Sequence, residues 1–438
     1  MLYHTHIARH TILFCYNKKI SIFAISFNHS KKLHMIQLIN RPQYTERIKP
    51  FVNKNIIKVL TGQRRVGKSC ILLQLQQHIK ECTPEANIIY INKEFEQFSS
   101  LRSNTELTDY INQHLDNTKP NYLFIDEVQD IAGFEHTLRS LQAQDACDIY
   151  ITGSNATMLS SELATYLSGR YIEFHIFSLS YLEFLTFHKL DHSTANLRKY
   201  LTFGGLPYLS NLVLEEDIAF EYLRNVYSTI LLKDVVKHEG IRNVDFLEQL
   251  ALYTADNVGN LFSSTNISKY LKSQKVNMTP LSVINYLRAL QNAFLIHKVQ
   301  RIDVNGLRKF EIGDKFYFED LGLRNCHLGF NLQKDIHKLL ENAIYLHLRQ
   351  LQYQVYTGQQ NGGGKIDFVA MRKDEVVYVQ VCLQLTDEST LQREFGNLLA
   401  IANNYPKYVV SLDEWTSGSN VDGIKHVHLG DFLKMERY

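Results

Sequence analysis

The sequence predicts an α/β protein: a parallel sheet built around a phosphate-binding glycine loop, then a helical segment, a small unit of helices and strands, and a second α/β unit. Three observations predict it. A strand from Ile56 to Leu60 runs into Gly62-Gln63-Arg64-Arg65-Val66-Gly67-Lys68-Ser69, and apolar residues at helical spacing, Ile71, Leu72, Leu75 and Ile79, follow at once. Apolar runs at Asn87–Ile91, Tyr122–Ile125 and Ile149–Thr152, and an alternating one at Ile172, Phe174 and Ile176, are separated by helix-length stretches, as in a parallel sheet covered on both faces. Finally, 438 residues at about 150 per domain correspond to roughly three units.

The remaining elements follow in order. After Leu179 helical periodicity takes over through Tyr181–Lys189, Asn196–Phe203 and Ile218–Leu232, broken by the turn Gly204-Gly205-Leu206-Pro207. Between Val244 and Leu323 three short helices precede two apolar strands, Phe294–Arg301 and Lys309–Phe318, joined by a turn at Asn305-Gly306; that order suggests a winged helix. From Asp335 a helix carrying Glu341 leads to strands at Gln354–Tyr356, Ile366–Ala370 and Val376–Val381, a helix through Arg393 and a strand at Tyr408–Leu412. The expected division is 1–34 as an extension of unassigned role, 35–180 as the core, 181–242 as a helical lid, 243–328 as the winged-helix unit and 329–438 as the last α/β unit.

Composition excludes several classes. Hydrophobic residues at 45% and charged residues at 21% are globular values, which rules out a disordered tail protein, a fibre or a disulfide scaffold. Lys+Arg 47 against Asp+Glu 45 leaves a formal charge of +2, so no global field attracts nucleic acid or an anionic membrane, and any such contact is local. Cys15, Cys70, Cys82, Cys147, Cys326 and Cys382 form no CxxC pair and read as reduced, buried thiols of a cytoplasmic protein. No apolar run reaches the ~18–20 residues of a membrane helix, so no membrane contact is expected.

Gly62 to Ser69 fits G-x-x-x-x-G-K-[ST] between a strand and a helix, the context that separates a phosphate loop from a tight turn with a solvated lysine. Glycines let backbone N–H groups converge on phosphate oxygens, the helix start at Cys70 adds positive dipole, Lys68 neutralises β/γ charge and Ser69 ligates Mg2+. Tyr122-Leu123-Phe124-Ile125 ends in Asp126 and Glu127, adjacent carboxylates at the strand edge where α/β ligands bind. Asp126 suits a second Mg2+ contact and Glu127 suits polarising an attacking water; taken alone the pair also fits a solvated strand end. Ile149–Thr152 ends in Gly153-Ser154-Asn155, where Asn155, ahead of Ser154, can orient that water or touch the γ-phosphate, the competing role being a helix N-cap before Ala156. Arg170 in Ser168-Gly169-Arg170 can stabilise transition-state charge in its own or a neighbouring subunit, or be a surface arginine.

These motifs, with Ile125-Asp126-Glu127-Val128-Gln129, Thr152-Gly153-Ser154-Asn155 and Gly204-Gly205-Leu206-Pro207, resemble, over roughly 35–438, a group of prokaryotic AAA-superfamily ATPases whose ATPase module precedes a C-terminal domain of unknown function. The resemblance implies a P-loop NTPase sheet with a water-polarising acid, an extra strand between the two Walker motifs, and ATP with Mg2+ as ligands. It also implies that Pro207 packs near the adenine, as in the related signal-transduction ATPases.

In the winged-helix unit, Ile267, Tyr270 and Leu271, and Val283, Ile284, Leu287 and Leu290, are expected in the core, leaving Lys269, Lys272, Lys275, Ser282, Asn285 and Arg288, with Arg308 and Lys309 at the wing turn, to face outward. That mildly basic set suits weak DNA contacts, and a protein partner or self-association is the competing use. The tail resembles a restriction-endonuclease-like fold, with Glu341 and Asp367 in acidic positions. Its Glu-x-Lys positions read Gln380-Val381-Cys382, which removes a metal carboxylate and the lysine cation, so no cleavage is expected. The function expected is ATP hydrolysis driving a conformational change relayed to the C-terminal units; the alternatives are a nucleotide switch with little turnover and an ATP-dependent nuclease.

Overall fold

The computed structural model describes residues 20–23, 36–156, 166–273, 278–304, 306, 313–329, 332–360, 363–385, 388–413 and 417–438. Cys15, Lys275, Asn305, Arg308, Lys309 and most of 1–34 lie outside the described residues. Ile20–Phe23 (β1) pairs antiparallel with Ile36–Ile39 (β2), a two-stranded ribbon ahead of the main fold.

The main sheet has five parallel strands: Ile57–Thr61 (β3), Asn87–Asn92 (β4), Asn121–Asp126 (β5), Asp148–Gly153 (β6) and Tyr171–His175 (β7), in the order β4-β5-β6-β3-β7. β3 and β6 are buried along nearly their whole length, which is why they read as continuous apolar runs rather than alternating ones. One charge breaks that pattern: Lys58 is fully buried on β3, paired with Asp148 and lying 4.8 Å from the Tyr150 ring centroid. β6 stands between β3 and β5, so the strand that leads into the glycine loop and the strand that ends in Asp126 flank a third, the order that the resemblance implies. Helix Pro42–Ile48 (α1) precedes the sheet, and helix Lys68–Cys82 (α2) buries Ile71, Leu72, Leu75 and Ile79 against it.

Helices Tyr181–His188, Thr194–Phe203 and Glu216–Thr229 follow, the last running into a π-helical turn, Ile230–Lys237. The first two are capped by Ser180 and Ser193, whose side chains accept from the third helical N–H. Gly204 and Gly205 have a packing reason. A Cβ at Gly205 would lie 2.4 Å from the Leu179 carbonyl oxygen, and one at Gly204, where φ is +73°, would lie 2.3 Å from an Asp320 oxygen. Asp320 is fully buried, caps helix Leu321–Leu328 through the Leu323 N–H and accepts a 2.7 Å hydrogen bond from the Gly205 N–H.

Helices Val244–Asp256, Ser264–Ser273 and Pro280–Asn292 precede Ile296–Val299 (β8), which pairs antiparallel with Lys315–Phe318 (β10). The turn expected at Asn305-Gly306 falls largely outside the described residues. Between the two strands the chain leaves to form Arg301–Asp303 (β9), which lies parallel to Gln354–Gln359 (β11) at the edge of another sheet. That sheet contains Lys365–Arg372 (β12), Glu375–Val381 (β13), Lys407–Ser411 (β14), Asn420–Val421 (β15) and Ile424–His428 (β16), in the order β15-β16-β14-β13-β12-β11-β9. The pairing of β9 with β11 thus spans the expected boundary at 328. The expected core face is also corrected: Tyr270 and Ile284 are 48% and 42% exposed, and Leu281 67%, the Tyr270 ring resting on Tyr253 at the surface, 4.9 Å between centroids. Cys70 and Cys82 are exposed rather than buried.

Burial raises the Asp320 carboxyl to about 6, against the opposing hydrogen bonds of Gly205 and Leu323. Because its folded value lies above the unfolded one near 3.8, the native state holds an extra proton across about pH 4–6, and stability falls as pH rises through that window. Asp320→Asn removes this slope and one of two acceptors. The melting-temperature deficit of Asp320→Asn against the parent is therefore expected to be largest near pH 4 and to shrink by pH 7; a deficit constant across a pH series would remove Asp320 as the titrating group.

Candidate nucleotide-binding site

The glycine loop is shaped by its own backbone. Gly62 has φ +142° and a Cβ there would lie 2.2 Å from the Ile176 carbonyl oxygen, so only glycine passes over the end of β7. Gly67, at φ +96°, is the N-cap of α2, and Arg65 also takes a positive φ of 71°. Lys68 folds back over the loop, its ammonium donating to the Gly62 and Gln63 carbonyls at 3.0 Å each and lying 3.8 Å from Glu127 Oε1. Gln63 is buried and points away from the loop, its amide N–H donating to the Phe294 carbonyl at 3.1 Å. Arg64 makes a buried two-pronged pair with Asp234, at 2.9 and 2.8 Å, which ties the loop to the π-helical turn. The Val66 carbonyl accepts from Arg41 at 2.8 Å.

The two acids at the end of β5 occupy different environments. Asp126 is buried and accepts hydrogen bonds from Ser69, Thr152 and Asn92, and burial holds its carboxyl above the usual range despite those bonds. Glu127 sits in the left-handed region, φ 58° and ψ 54°, a turn that aims its side chain back over the loop. Burial opposes its ionisation, but Lys68, then Arg64, and hydrogen bonds from Gln129 and Ser154 outweigh it, so Glu127 is held below its ordinary value. The Ser154 hydroxyl donates to Glu127 Oε2 at 3.0 Å. Asn155 instead turns its amide to the Asp234 carbonyl at 3.3 Å, so it is Ser154 that meets the acid.

A cleft of about 1150 Å³ opens over the loop, with Lys68, Ser69, Cys70 and Glu127 in its floor and Tyr90, Pro207 and Tyr208 in its walls. Pro207 lies beside Gly67, 3.7 Å from where a Cβ would stand. Thus Gly62 to Cys70, Asp126, Glu127 and Pro207 converge. Arg170 does not. It precedes β7, with its carbonyl accepting from the Ile57 N–H at the start of β3, whereas the glycine loop follows the other end of the same two strands, roughly 16 Å away by strand rise. It is exposed and does not reach the loop of its own chain.

Two residues escaped the sequence. Arg41 is 2% exposed, pairs with Glu183 at 2.7 and 2.9 Å, and donates to the Val66 and Phe177 carbonyls, joining the chain before the sheet, the loop and the first helix after the sheet. Only its position ahead of Pro42, at a helix start, hinted at order there. Asp234 gave no signal, being one acid in an apolar helical run. In the tail, the Lys315 ammonium lies 3.0 Å from Glu341 and 3.8 Å from Asp367, so a lysine does meet both acids, but from β10 rather than from position 382. Burial, then repulsion by Glu341, raises the Asp367 carboxyl to about 7, and Gln380 accepts from the Asp367 N–H.

Removing one partner of the Arg64–Asp234 pair leaves a buried charge alone, at a cost of about 3–5 kcal/mol. Arg64→Ala is therefore expected to lower the chemical-denaturation midpoint sharply, with Arg64→Ala/Asp234→Ala recovering part of the loss. Additive losses in that double-mutant cycle would sever the loop from the π-helical turn energetically.

Comparison with known proteins matches two segments of the chain. Residues 54–185 match the family described as AAA domain, and residues 194–334 match the Domain of unknown function (DUF8612). An uncharacterized protein of Haemophilus influenzae is 31% identical over 402 residues, covering 90% of this chain and 98% of that protein. The uncharacterized protein MJ1544 of Methanocaldococcus jannaschii is 30% identical over 434 residues, covering 94% and 93%. Among solved structures, AMPPCP-bound DnaA from Aquifex aeolicus is similar over 56% of this chain and 86% of its own, at 16% identity and a TM-score of 0.27. The Aeropyrum pernix ORC1 protein in complex with DNA is similar over 64% and 89%, at 11% and 0.29. Scores that low leave the sheet order itself as the ground for the fold. On full-length identity, this chain belongs to the family that the uncharacterized Haemophilus influenzae protein and MJ1544 of Methanocaldococcus jannaschii represent.

Proposed function

We propose that the chain binds ATP with Mg2+ at the 62–70 loop and hydrolyses it, using the free energy to move its C-terminal units. The observation that carries this reading is an ionised Glu127 held 3.8 Å from the Lys68 ammonium over the floor of an open cleft. A site that only bound nucleotide would have no use for a buried carboxylate kept in its basic form beside the cation that meets the phosphates. In this reading the loop N–H groups and the start of α2 bind the phosphates, Lys68 exchanges its carbonyl partners for β/γ-phosphate oxygens, and Pro207 borders the base. Glu127, oriented by Ser154 and Gln129, accepts a hydrogen bond from the attacking water.

Ser69 and Asp126 form an all-oxygen donor pair already hydrogen-bonded to each other, which fits a hard cation. They would hold Mg2+, whose contribution when bound is to neutralise charge between the β- and γ-phosphates. Asn155, one residue beyond Ser154, acts through the Asp234 backbone, so a change at the γ-phosphate reaches the π-helical turn through both Asn155 and Arg64. Arg170 serves only the site of a second copy, which makes self-association a condition of any role in catalysis.

For the outputs of this motor, a winged-helix reading of 243–328 offers exposed Lys269, Lys272 and Arg288 for DNA phosphates. The exposed apolar trio Tyr270, Leu281 and Ile284 beside them favours a second reading, a protein partner. A restriction-endonuclease-like tail without cleavage is consistent with Lys315, whose fixed ammonium takes up both carboxylates that a metal would need.

Lys68→Ala is expected to weaken ATP binding at least tenfold, about 1.4 kcal/mol, in a calorimetric titration. Glu127→Gln is expected to keep that affinity while slowing phosphate release by ~10²-fold or more. Parental turnover in Glu127→Gln would sink the hydrolytic reading, and parental affinity in folded Lys68→Ala would sink nucleotide binding at this loop. DNA binding, where it occurs, is expected to weaken with salt at a log–log slope of ~0.9 for each phosphate contacted. A slope near zero, or binding unaltered in Lys269→Ala/Lys272→Ala, would assign the surface to protein.

A further inference from the structure

Behind the glycine loop, on the side away from the nucleotide cleft, three chemistry-bearing side chains from three elements meet. His175 is the last residue of β7, one before the Ile176 whose carbonyl underlies Gly62. His297 is the second residue of β8, and Glu319 follows β10. A nitrogen from each histidine and one Glu319 carboxylate oxygen all lie within 4.8 Å of one another. A tetrahedral Zn2+ with bonds of about 2.0–2.1 Å sets its ligand atoms about 3.4 Å apart, so small ring movements bring these three into that spacing.

We propose that His175, His297 and Glu319 bind a zinc-class divalent transition metal that fastens the floor of the glycine loop to the β8–β10 unit. Three features separate the cluster from an ordinary buried histidine–glutamate pair. First, such a pair explains His297, whose Nε2 contacts Glu319 directly, but not His175, whose buried Nε2 stands 3.7 Å from the same oxygen and has no hydrogen-bond partner among the described residues. Leaving a buried nitrogen unsatisfied costs about 1–3 kcal/mol, and a metal at the centre would use it.

Second, the ligands are oriented from behind, as metal ligands are. Thr61 Oγ1 lies 3.3 Å from His175 Nδ1, and the Ser178 N–H donates to the other Glu319 oxygen at 3.3 Å. Third, the cluster borders a second cavity, of about 480 Å³, that leaves room for water at a fourth position. The charged groups facing it are Arg47, Glu173, Lys298 and Arg349. Three cations against one acid repel a loosely held hydrated ion. The site therefore depends on strong bonds to nitrogen, which imidazole gives to Zn2+ and Co2+ and scarcely to Mg2+ or Ca2+.

The experiment uses the full chain, stripped by chelator and kept in excess Mg2+ so that the oxygen donors at Ser69 and Asp126 do not compete. Titration with Co2+ is expected to give one equivalent bound, with the strong visible absorption of a four-coordinate nitrogen-ligated site, displaced by Zn2+. Zn2+ is expected to raise the melting temperature of the parent. His297→Gln is expected to lower affinity for Co2+ at least tenfold. Should that variant fail to fold, His175→Gln, at the rim of the cavity, carries the same expectation. No stoichiometric Co2+ binding by the parent, or parental affinity in folded His175→Gln, would overturn the proposal and leave the cluster a hydrogen-bonded His–Glu pair.

Discussion

A lysine ammonium taken out of water has to be met by oxygens, and the whole centre of this molecule is arranged around doing that for Lys68. The side chain is 4% exposed, yet its charge is met by two carbonyls of its own loop and by Glu127 across the gap. Those carbonyls point inward only because Gly62 crosses the end of β7 at a φ that no side chain tolerates there. The same constraint sets the sheet order: β5 must end level with the loop for Glu127 to arrive, and β6 between them supplies Thr152 to Asp126 and to the Glu127 N–H. An anionic oxygen is a better partner for an ammonium than a carbonyl, so these contacts are ones the lysine can exchange.

Charge pairing then spreads outward from the loop. Arg41 and Arg64 are buried on opposite flanks, each with a carboxylate from the helical segment, Glu183 and Asp234. Burial alone would cost each guanidinium several kcal/mol, so neither helix can swing away while leaving its acid or its arginine behind. Gln63 adds a hydrogen bond to Phe294, so Glu183 through Arg41, Asp234 and Phe294 each register the shape of one loop. Movement of the helical segment is in this sense a change of ion-pair partners rather than free hinge bending.

What the sequence made legible was local chemistry with fixed spacing. Gly62 to Ser69, the Asp126–Glu127 strand end and the five parallel strands all announce themselves within a window of a few residues, because phosphate binding and strand burial each impose a pattern at short range. Pairings across the fold impose none. Asp234 and Glu183 look like ordinary helix-surface acids until the fold brings arginines to them, and Lys315 meets Glu341 and Asp367 only because β10 and the following long helix share a core. Ile284 fits a buried helical stripe by spacing, yet it is 42% exposed. Arg170 is placed for a related reason: sequence adjacency to β7 does not say which end of the strand carries the glycine loop, and Arg170 stands at the other end. Gly204 and Gly205 were visible as a turn, but their need for missing side chains arises from Asp320 and Leu179, 116 and 26 residues away in sequence.

The excursion of β9 has a consequence for how this chain assembles as it is made. Arg301–Asp303 is the edge of a seven-stranded sheet whose next strand, Gln354–Gln359, is synthesised some fifty residues later. At the ribosome's usual pace that is a wait of several seconds, during which β8 and its flanking helices have emerged with one strand of their connection unpaired. A bare strand is a template for wrong partners. Its three residues carry an arginine and an aspartate around Ile302, short and charged enough to be a poor one. The two units are thus stitched together in time as well as in space: neither half is finished until the other has been translated, and a gene cut between them would strand an orphan edge on both sides.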